Sequence, residues 1–174
     1  MKLHLGCGSK HLEGYVNVDV VGTPDKKCDL SVFPWPFEDN SAEEIFSEHF
    51  LEHVHDYERT IQEMHRILKP NGKLLFRVPH FRNACTPWHL HKWDFSVFTC
   101  KRLGESIPYL WDGKQLFDTE SIRIRYTFVG VIPRCFWAVL EFFANIHPEA
   151  WDYLGFLIDE VEYVGRKRAD TPAK

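Results

Sequence analysis

The sequence predicts a doubly wound, mostly parallel α/β sheet with an antiparallel strand near the C-terminus. Three observations carry this expectation. The stretch Lys2 to Leu5 is strand-like and runs straight into a glycine turn. Strand-like and helix-like stretches then alternate, the pattern of parallel strands joined by crossovers. Last, two strand-like stretches, Ser121 to Phe128 and Glu160 to Gly165, flank an apolar helical run. They are expected to pair antiparallel at one end of the sheet, with the first strand central and helices on both faces.

The remaining elements follow in order. Tyr15 to Val20 alternates Val16, Val18 and Val20 with Asn17 and Asp19, the period of a strand. Ala42 to Ser47 is a short strand. Asp56 is placed to cap a helix that carries Tyr57, Ile61, Met64 and Leu68 on one face. Pro70-Asn71-Gly72 is expected to end that helix, and Lys73 to Val78 to form an apolar strand. Phe95 to Glu105 is expected as a helix. In Ser121 to Phe128, apolar Ile122, Ile124, Tyr126 and Phe128 alternate with polar residues. Pro133 is suited to open a helix through Asn145.

Composition bounds the function. A chain of 174 residues, 44% hydrophobic and 26% charged, is long enough to bury a core. It is expected to form one domain over 1–174, with 1–80 binding a cofactor and 81–174 handling an acceptor or an interface. The net charge of −4 provides no general attraction for phosphate backbones, so nucleic acid is not the expected partner. Val129 to Ile146 is the most apolar run, but Pro133, Arg134 and Glu141 interrupt it, which argues against a membrane span. Aromatics reach 15% and crowd the second half. That half is a candidate homo-oligomer interface or pocket wall, with a bulky core as the plainer account. Cys7, Cys28, Cys85, Cys100 and Cys135 are odd in number and lack paired spacing, which fits free thiols in a reducing cytoplasm. The chain opens directly into a strand, so no targeting segment is expected and the localisation expected is cytoplasmic.

The first chemistry-bearing segment is Leu3-His4-Leu5-Gly6-Cys7-Gly8. Two spaced glycines after a strand let a ligand approach the backbone. A dinucleotide fingerprint would want a third glycine at His11 and an acid about 20 residues on. Asp19 comes eleven residues after Gly8 instead, which disfavours a nicotinamide enzyme. At the end of a strand, Asp19 is placed to accept both hydroxyls of a ribose.

Taken together, Leu3–Gly8, Asn17-Val18-Asp19, Cys28-Asp29-Leu30 and Phe33-Pro34-Trp35-Pro36-Phe37-Glu38-Asp39-Asn40-Ser41 resemble a class I S-adenosylmethionine-dependent methyltransferase. So do Phe50-Leu51-Glu52-His53-Val54 and Arg66 to Leu74. The resemblance covers about the first half of the chain. It implies a Rossmann-like methyltransferase fold with S-adenosyl-L-methionine as cofactor. It places Leu5, Gly6, Cys7 and Gly8 in the cofactor loop, Asp19 on the ribose, Asp29 and Leu30 at the adenine, and Glu48 and His49 beside the sulfonium. His49 and His53 are expected to line or support the pocket rather than to bind a metal. The chain departs from the family in its first two crossovers: Ser9 to Gly14 and Val21 to Lys27 are too short for the usual helices. One side of the site is therefore expected to lack its cover unless another subunit or the aromatic half supplies it.

The expected activity is methyl transfer to a small-molecule acceptor, a sugar or metabolite hydroxyl for instance. The alternative is a non-catalytic cofactor-binding or interaction module. A hydroxyl acceptor profits from a general base, and His80, His89 and His91 lie at and after the end of the fifth strand-like stretch, where ligands of open α/β sheets bind. Cys85, His89 and His91, or His49 with His53, are metal-ligand types, but no full ligand pattern is present and no metal is expected. Ser47-Glu48-His49-Phe50 stands where base amino-methyltransferases carry Asn/Asp-Pro-Pro-aromatic, which argues against a nucleic-acid amino group as acceptor.

Overall fold

The computed structural model describes residues 1–82, 90–108, 111–126, 134–154 and 159–169. One sheet holds β1 (Lys2–Leu5), β2 (Val16–Asp19), β3 (Lys26–Lys27), β4 (Ala42–Glu48), β5 (Leu68–Pro79), β6 (Phe117–Arg125) and β7 (Glu160–Lys167) in the order β3-β2-β1-β4-β5-β7-β6. Strands β1 to β5 run parallel, and β7 is antiparallel to both of its neighbours, β5 and β6. The middle strand is β4, not β1 as expected. β1 lies beside it, and three later strands all add on the β4 side.

Helix α1 (Tyr57–Ile67) is capped by the Asp56 side chain, which accepts the Arg59 amide. It ends earlier than expected. Leu68 is already extended and pairs with Ala42, and Pro70-Asn71-Gly72 forms a bulge within β5, with Asn71 at φ 63°. The expected helix at Phe95 to Glu105 is reduced to α2 (Val97–Lys101) and a 3-10 turn at Arg102–Gly104. A reciprocal cap between Ser96 and Thr99 fixes its start. α3 (Arg134–Ala144) and α4 (Pro148–Leu154) complete the described helices. None is long and apolar enough to cross a membrane.

The described helices do not cover both faces. Strand alternation puts Leu3, Leu5, Val18, Ile45, Leu74, Phe76, Val161 and Tyr163 on one face. There they form a single core with Ile61 and Met64 of α1 and with Cys100 and Leu103. Val97, Ile124 and Ala144 extend the same layer. The opposite face carries polar residues in register: Glu48 opposite Arg77, and Arg77 opposite Glu162. Arg77 bonds both acids, at 3.0 and 2.7 Å, and Arg125 reaches Glu162 at 3.2 Å. A self-satisfied ladder of this kind needs no apolar cover.

Where a crossover helix is absent between β1 and β2, the loop itself closes over His4 and Asn17, both almost fully buried. Asn17 organises it. Its Oδ1 accepts the Leu12 amide (2.9 Å), and its Nδ2 donates to the Leu12 and Tyr15 carbonyls and to Asp25 Oδ2. These bonds hold Asp25 below the usual carboxylate range, chiefly through the Asn17 backbone amide. A second anchor is Trp35, buried against α1. Its ring nitrogen donates to Leu30 O at 3.0 Å, and its amide donates to Glu63 Oε2 at 2.8 Å. Arg66 clamps the same segment through Glu63 and Asp39. Trp35→Ala would cost about 3–5 kcal/mol and release Leu30.

Edge strand β6 is capped by a side chain. Asn145 Oδ1 accepts the Ile124 amide, and its Nδ2 donates to the Ile124 carbonyl, taking the place of one strand partner. On α3, Phe136, Val139, Phe142 and Phe143 are exposed, so this helix does not form the bulky core that was the plainer account of its composition.

Candidate functional site

A cleft of about 200 Å³ opens beyond the carboxyl ends of β1, β2 and β3. The chain reaches it three times from the sheet: at Gly6, at Asp19, and at Asp29-Leu30, with Leu51–His53 and the start of α1 closing the far side. Gly6 has φ +67°, and a Cβ there would stand 2.6 Å from the Phe50 ring. Only glycine fits this conformation and this contact without strain.

Asp19 lines the cleft and also builds the loop. Its Oδ2 accepts the Gly8 amide at 2.7 Å, and its Oδ1 accepts the Val20 and Val21 amides at 2.6 and 3.0 Å. A carboxylate offers about four acceptor positions, so roughly one remains for a ligand hydroxyl. Asp29 turns its Oδ1 to the Ser31 amide and hydroxyl, and these bonds hold it below the usual range.

The other expected cofactor residues sit elsewhere. Leu5 is fully buried in the core, and Cys7 is buried with its thiol directed at the Gly8 carbonyl. Glu48 is not among the cleft residues. Strand alternation sends it to the polar face, where Lys10 and Arg77 hold it below the usual range against the cost of burial. Ile45 and Ser47, three residues and one residue before it, are on the core face with Leu3 and Leu5, so Glu48 falls on the other. His49, with φ 52°, also leaves the cleft. Its Nε2 donates to Glu160 Oε1 at 2.9 Å, and its Nδ1 stands 3.3 Å from Glu52 Oε1. The Glu160 bond and then the Glu52 carboxylate push its pKa up to about 10 despite desolvation. His53 does line the cleft, as do Phe33 and Phe50, two aromatics that sequence reasoning left out. The motif neighbours of Phe33 and Phe50 were the available signal.

Of the expected bases, His80 is 1% exposed and engaged at both ring nitrogens. Nδ1 accepts the Arg82 amide at 3.2 Å, so Nε2 carries the proton and donates to Asp152 Oδ1 at 3.0 Å. Asp152 also accepts the Val97 and Phe98 amides, which caps α2. This makes His80 a structural residue, since a base needs an accessible lone pair. His91 is half-buried with its ring centroid 5.0 Å from that of His53, and desolvation lowers its pKa. His89, with Cys85 and Trp88, lies outside the described residues.

A glycine turn and a strand-end acid stand at the carboxyl edge of a sheet whose seventh strand is reversed, and the chain has the Rossmann-like fold seen in solved S-adenosylmethionine-dependent methyltransferases. Residues 23–76 match the family model described as a methyltransferase domain. The chain is 30% identical over 100 residues to malonyl-[acyl-carrier protein] O-methyltransferase 1 of Coxiella burnetii, a match covering 54% of this chain and 35% of that protein. The matched stretch is therefore about a third of the relative's length. An S-adenosylmethionine-dependent methyltransferase from Archaeoglobus fulgidus superposes with TM-score 0.60 at 16% identity, covering 95% of this chain and 85% of that one. One from Mesorhizobium loti does so with TM-score 0.58 at 16% identity, covering 95% and 90%.

Proposed function

We propose that the cleft binds S-adenosylmethionine and that the domain transfers its methyl group to an oxygen of a small-molecule acceptor. The observation that carries this is the convergence of Gly6, Asp19, Asp29 and Leu30 on one cleft at the strand ends. The glycine turn admits the methionine and ribose portions, Asp19 takes a ribose hydroxyl, and Asp29 with Leu30 meets the adenine. The cleft is smaller than the roughly 300–1,000 Å³ of typical ligand pockets. A cofactor held there lies partly open, as the short crossovers imply.

Methyl transfer is an in-line displacement at a carbon already activated by sulfonium, so alignment is most of what the protein must supply. The acceptor enters on the side of Phe50 and His53, where aromatic and imidazole groups are concentrated. Of the three histidines expected as base, His91 is the one described near this side. The relative's acceptor, named as the malonyl group on an acyl-carrier protein, is an oxygen acid, and it motivates the choice of oxygen.

Calorimetry with S-adenosylhomocysteine, followed by turnover of S-adenosylmethionine against hydroxyl and carboxyl acceptors, tests the reading. Absence of saturable binding by the folded domain removes it. Binding without turnover on any acceptor favours the non-catalytic module.

A further inference from the structure

We infer that Glu52, His53 and His91 form a binding site for one zinc-like divalent transition-metal ion at the rim of the cleft. Their donor atoms all lie within 4.8 Å of one another. In a tetrahedral zinc site with bonds of about 2.0–2.1 Å, ligands stand about 3.3 Å apart.

Glu52 is the first argument. Its side chain is 1% exposed, yet neither carboxylate oxygen has a hydrogen-bond partner among the described residues. A buried carboxylate without hydrogen-bond partners costs several kcal/mol; the His49 imidazolium 3.3 Å from Oε1 offsets part of its charge, and a cation would supply the ligation that both oxygens lack. His49 Nδ1 lies at ion-pair distance, 3.3 Å, and its shorter contact is with Glu160 at 2.9 Å.

The tautomer of His53 is the second argument. Its Nδ1 stands 3.1 Å from the Leu90 carbonyl, which can only accept, so Nδ1 carries the proton. The Nε2 lone pair is left 3.8 Å from Glu52 Oε1. A lone pair facing a carboxylate oxygen is repulsive unless a proton or a metal cation sits between them, and a metal cation there would also engage His91. A ring N–H tied to a backbone carbonyl is also the usual outer-shell support of a metal-bound histidine. The third argument is chain geometry. Lys92 donates its amide to the Glu52 carbonyl at 2.8 Å, which fixes the segment bearing His91 against the one bearing Glu52 and His53.

Two imidazoles and one carboxylate favour zinc and its first-row neighbours over magnesium or calcium, which take oxygen ligands. Three protein ligands would leave a coordination position open, and one of the three, His53, lines the cleft. An imidazole whose lone pair holds a cation cannot also take a proton. In the loaded domain His91 is therefore a ligand and not a base, and an acceptor oxygen would be activated by the cation. The binding site itself does not depend on the methyl-transfer reading.

Chelator-stripped protein is titrated calorimetrically with Zn(II) and separately with Mg(II), and Co(II) absorption reports the ligand geometry. The expected result is one equivalent of Zn(II), no Mg(II) binding, and affinity at least roughly 100-fold weaker in His53→Ala and His91→Ala, since outer-shell losses alone cost 10–100-fold. His11→Ala, remote from the cluster, should bind as wild type. If Glu52→Gln fails to fold, the two histidine variants carry the test. Undiminished Zn(II) affinity in a folded His53→Ala/His91→Ala double variant, or no saturable binding by the wild type, overturns the site.

Discussion

Asp19→Ala removes a group that serves both the loop and the cofactor, and the structure separates the two effects. The carboxylate accepts three backbone amides, from Gly8, Val20 and Val21, at 2.6 to 3.0 Å. Hydrogen bonds to a charged group are worth about 1.5–3 kcal/mol each when buried. Asp19 is only half-buried, so solvent screening reduces the sum to about 2–3 kcal/mol. For a domain of this size that lowers the melting temperature by roughly 5–10 °C. Loss of the remaining acceptor position toward a ribose hydroxyl costs on the order of 1.5 kcal/mol, about tenfold in affinity. Asp19→Asn tests the geometry more finely. Its one oxygen suits the pair of amides at Val20 and Val21, and its NH2 then faces the Gly8 amide, donor against donor. It should retain part of the stability and little of the affinity. The assays are thermal unfolding and calorimetry with S-adenosylhomocysteine at a temperature where each variant is folded. Wild-type affinity in folded Asp19→Ala would take Asp19 out of the cofactor site, and an unchanged melting temperature would refute the three-bond account of the loop.

Three further outcomes are expected. Gly6→Ala combines positive φ with a 2.6 Å clash against Phe50; it should cost about 1–2 kcal/mol from the backbone alone and weaken cofactor binding, with the binding loss partly restored by Phe50→Ala, and equal affinity in all three proteins would remove Gly6 from the cleft. Asp152 is held below the usual carboxylate range: burial opposes this, but the His80 bond and the Val97 and Phe98 amides prevail. Its stabilisation is full above its unfolded value near 3.9 and is lost as pH falls through the folded value, so urea unfolding of Asp152→Asn should show a weaker acid dependence below about pH 4, and an unchanged acid limb would contradict this. If α3 is a homo-oligomer interface through its exposed Phe136, Val139, Phe142 and Phe143, sedimentation velocity should show concentration-dependent self-association that Phe142→Glu reduces; a monomeric wild type at high concentration would exclude it.

Local patterns carried much of the fold. Alternation in Val16–Asp19, the Asp56 cap, and the apolar stripe Ile61, Met64 of α1 are readable because each depends on neighbours within one turn or one pleat. The two-residue β3 and the short α4 have no comparable signature, since packing alone holds elements of that length. The glycine turn and strand-end acid were legible for the same local reason, and Gly6, Asp19, Asp29 and Leu30 do meet in the cleft. Glu48 does not line the cleft, because strand parity sends it to the face of Arg77, and parity outweighs its sequence position near the site.

By itself the sequence determined the parallel α/β sheet with its reversed late strand and the shortness of the first crossovers, since these are set by periodicity and spacing, while its motifs pointed to a cofactor only through their resemblance to a known family. Only the tertiary structure decided which groups meet across large separations. His80 is spent on Asp152, 72 residues away, and His49 on Glu160, 111 residues away. Glu52, His53 and His91 come together because the Lys92 amide ties two loops. A side chain's role depends on which partners satisfy it, and long-range partners are chosen by packing of the whole sheet rather than by any local pattern.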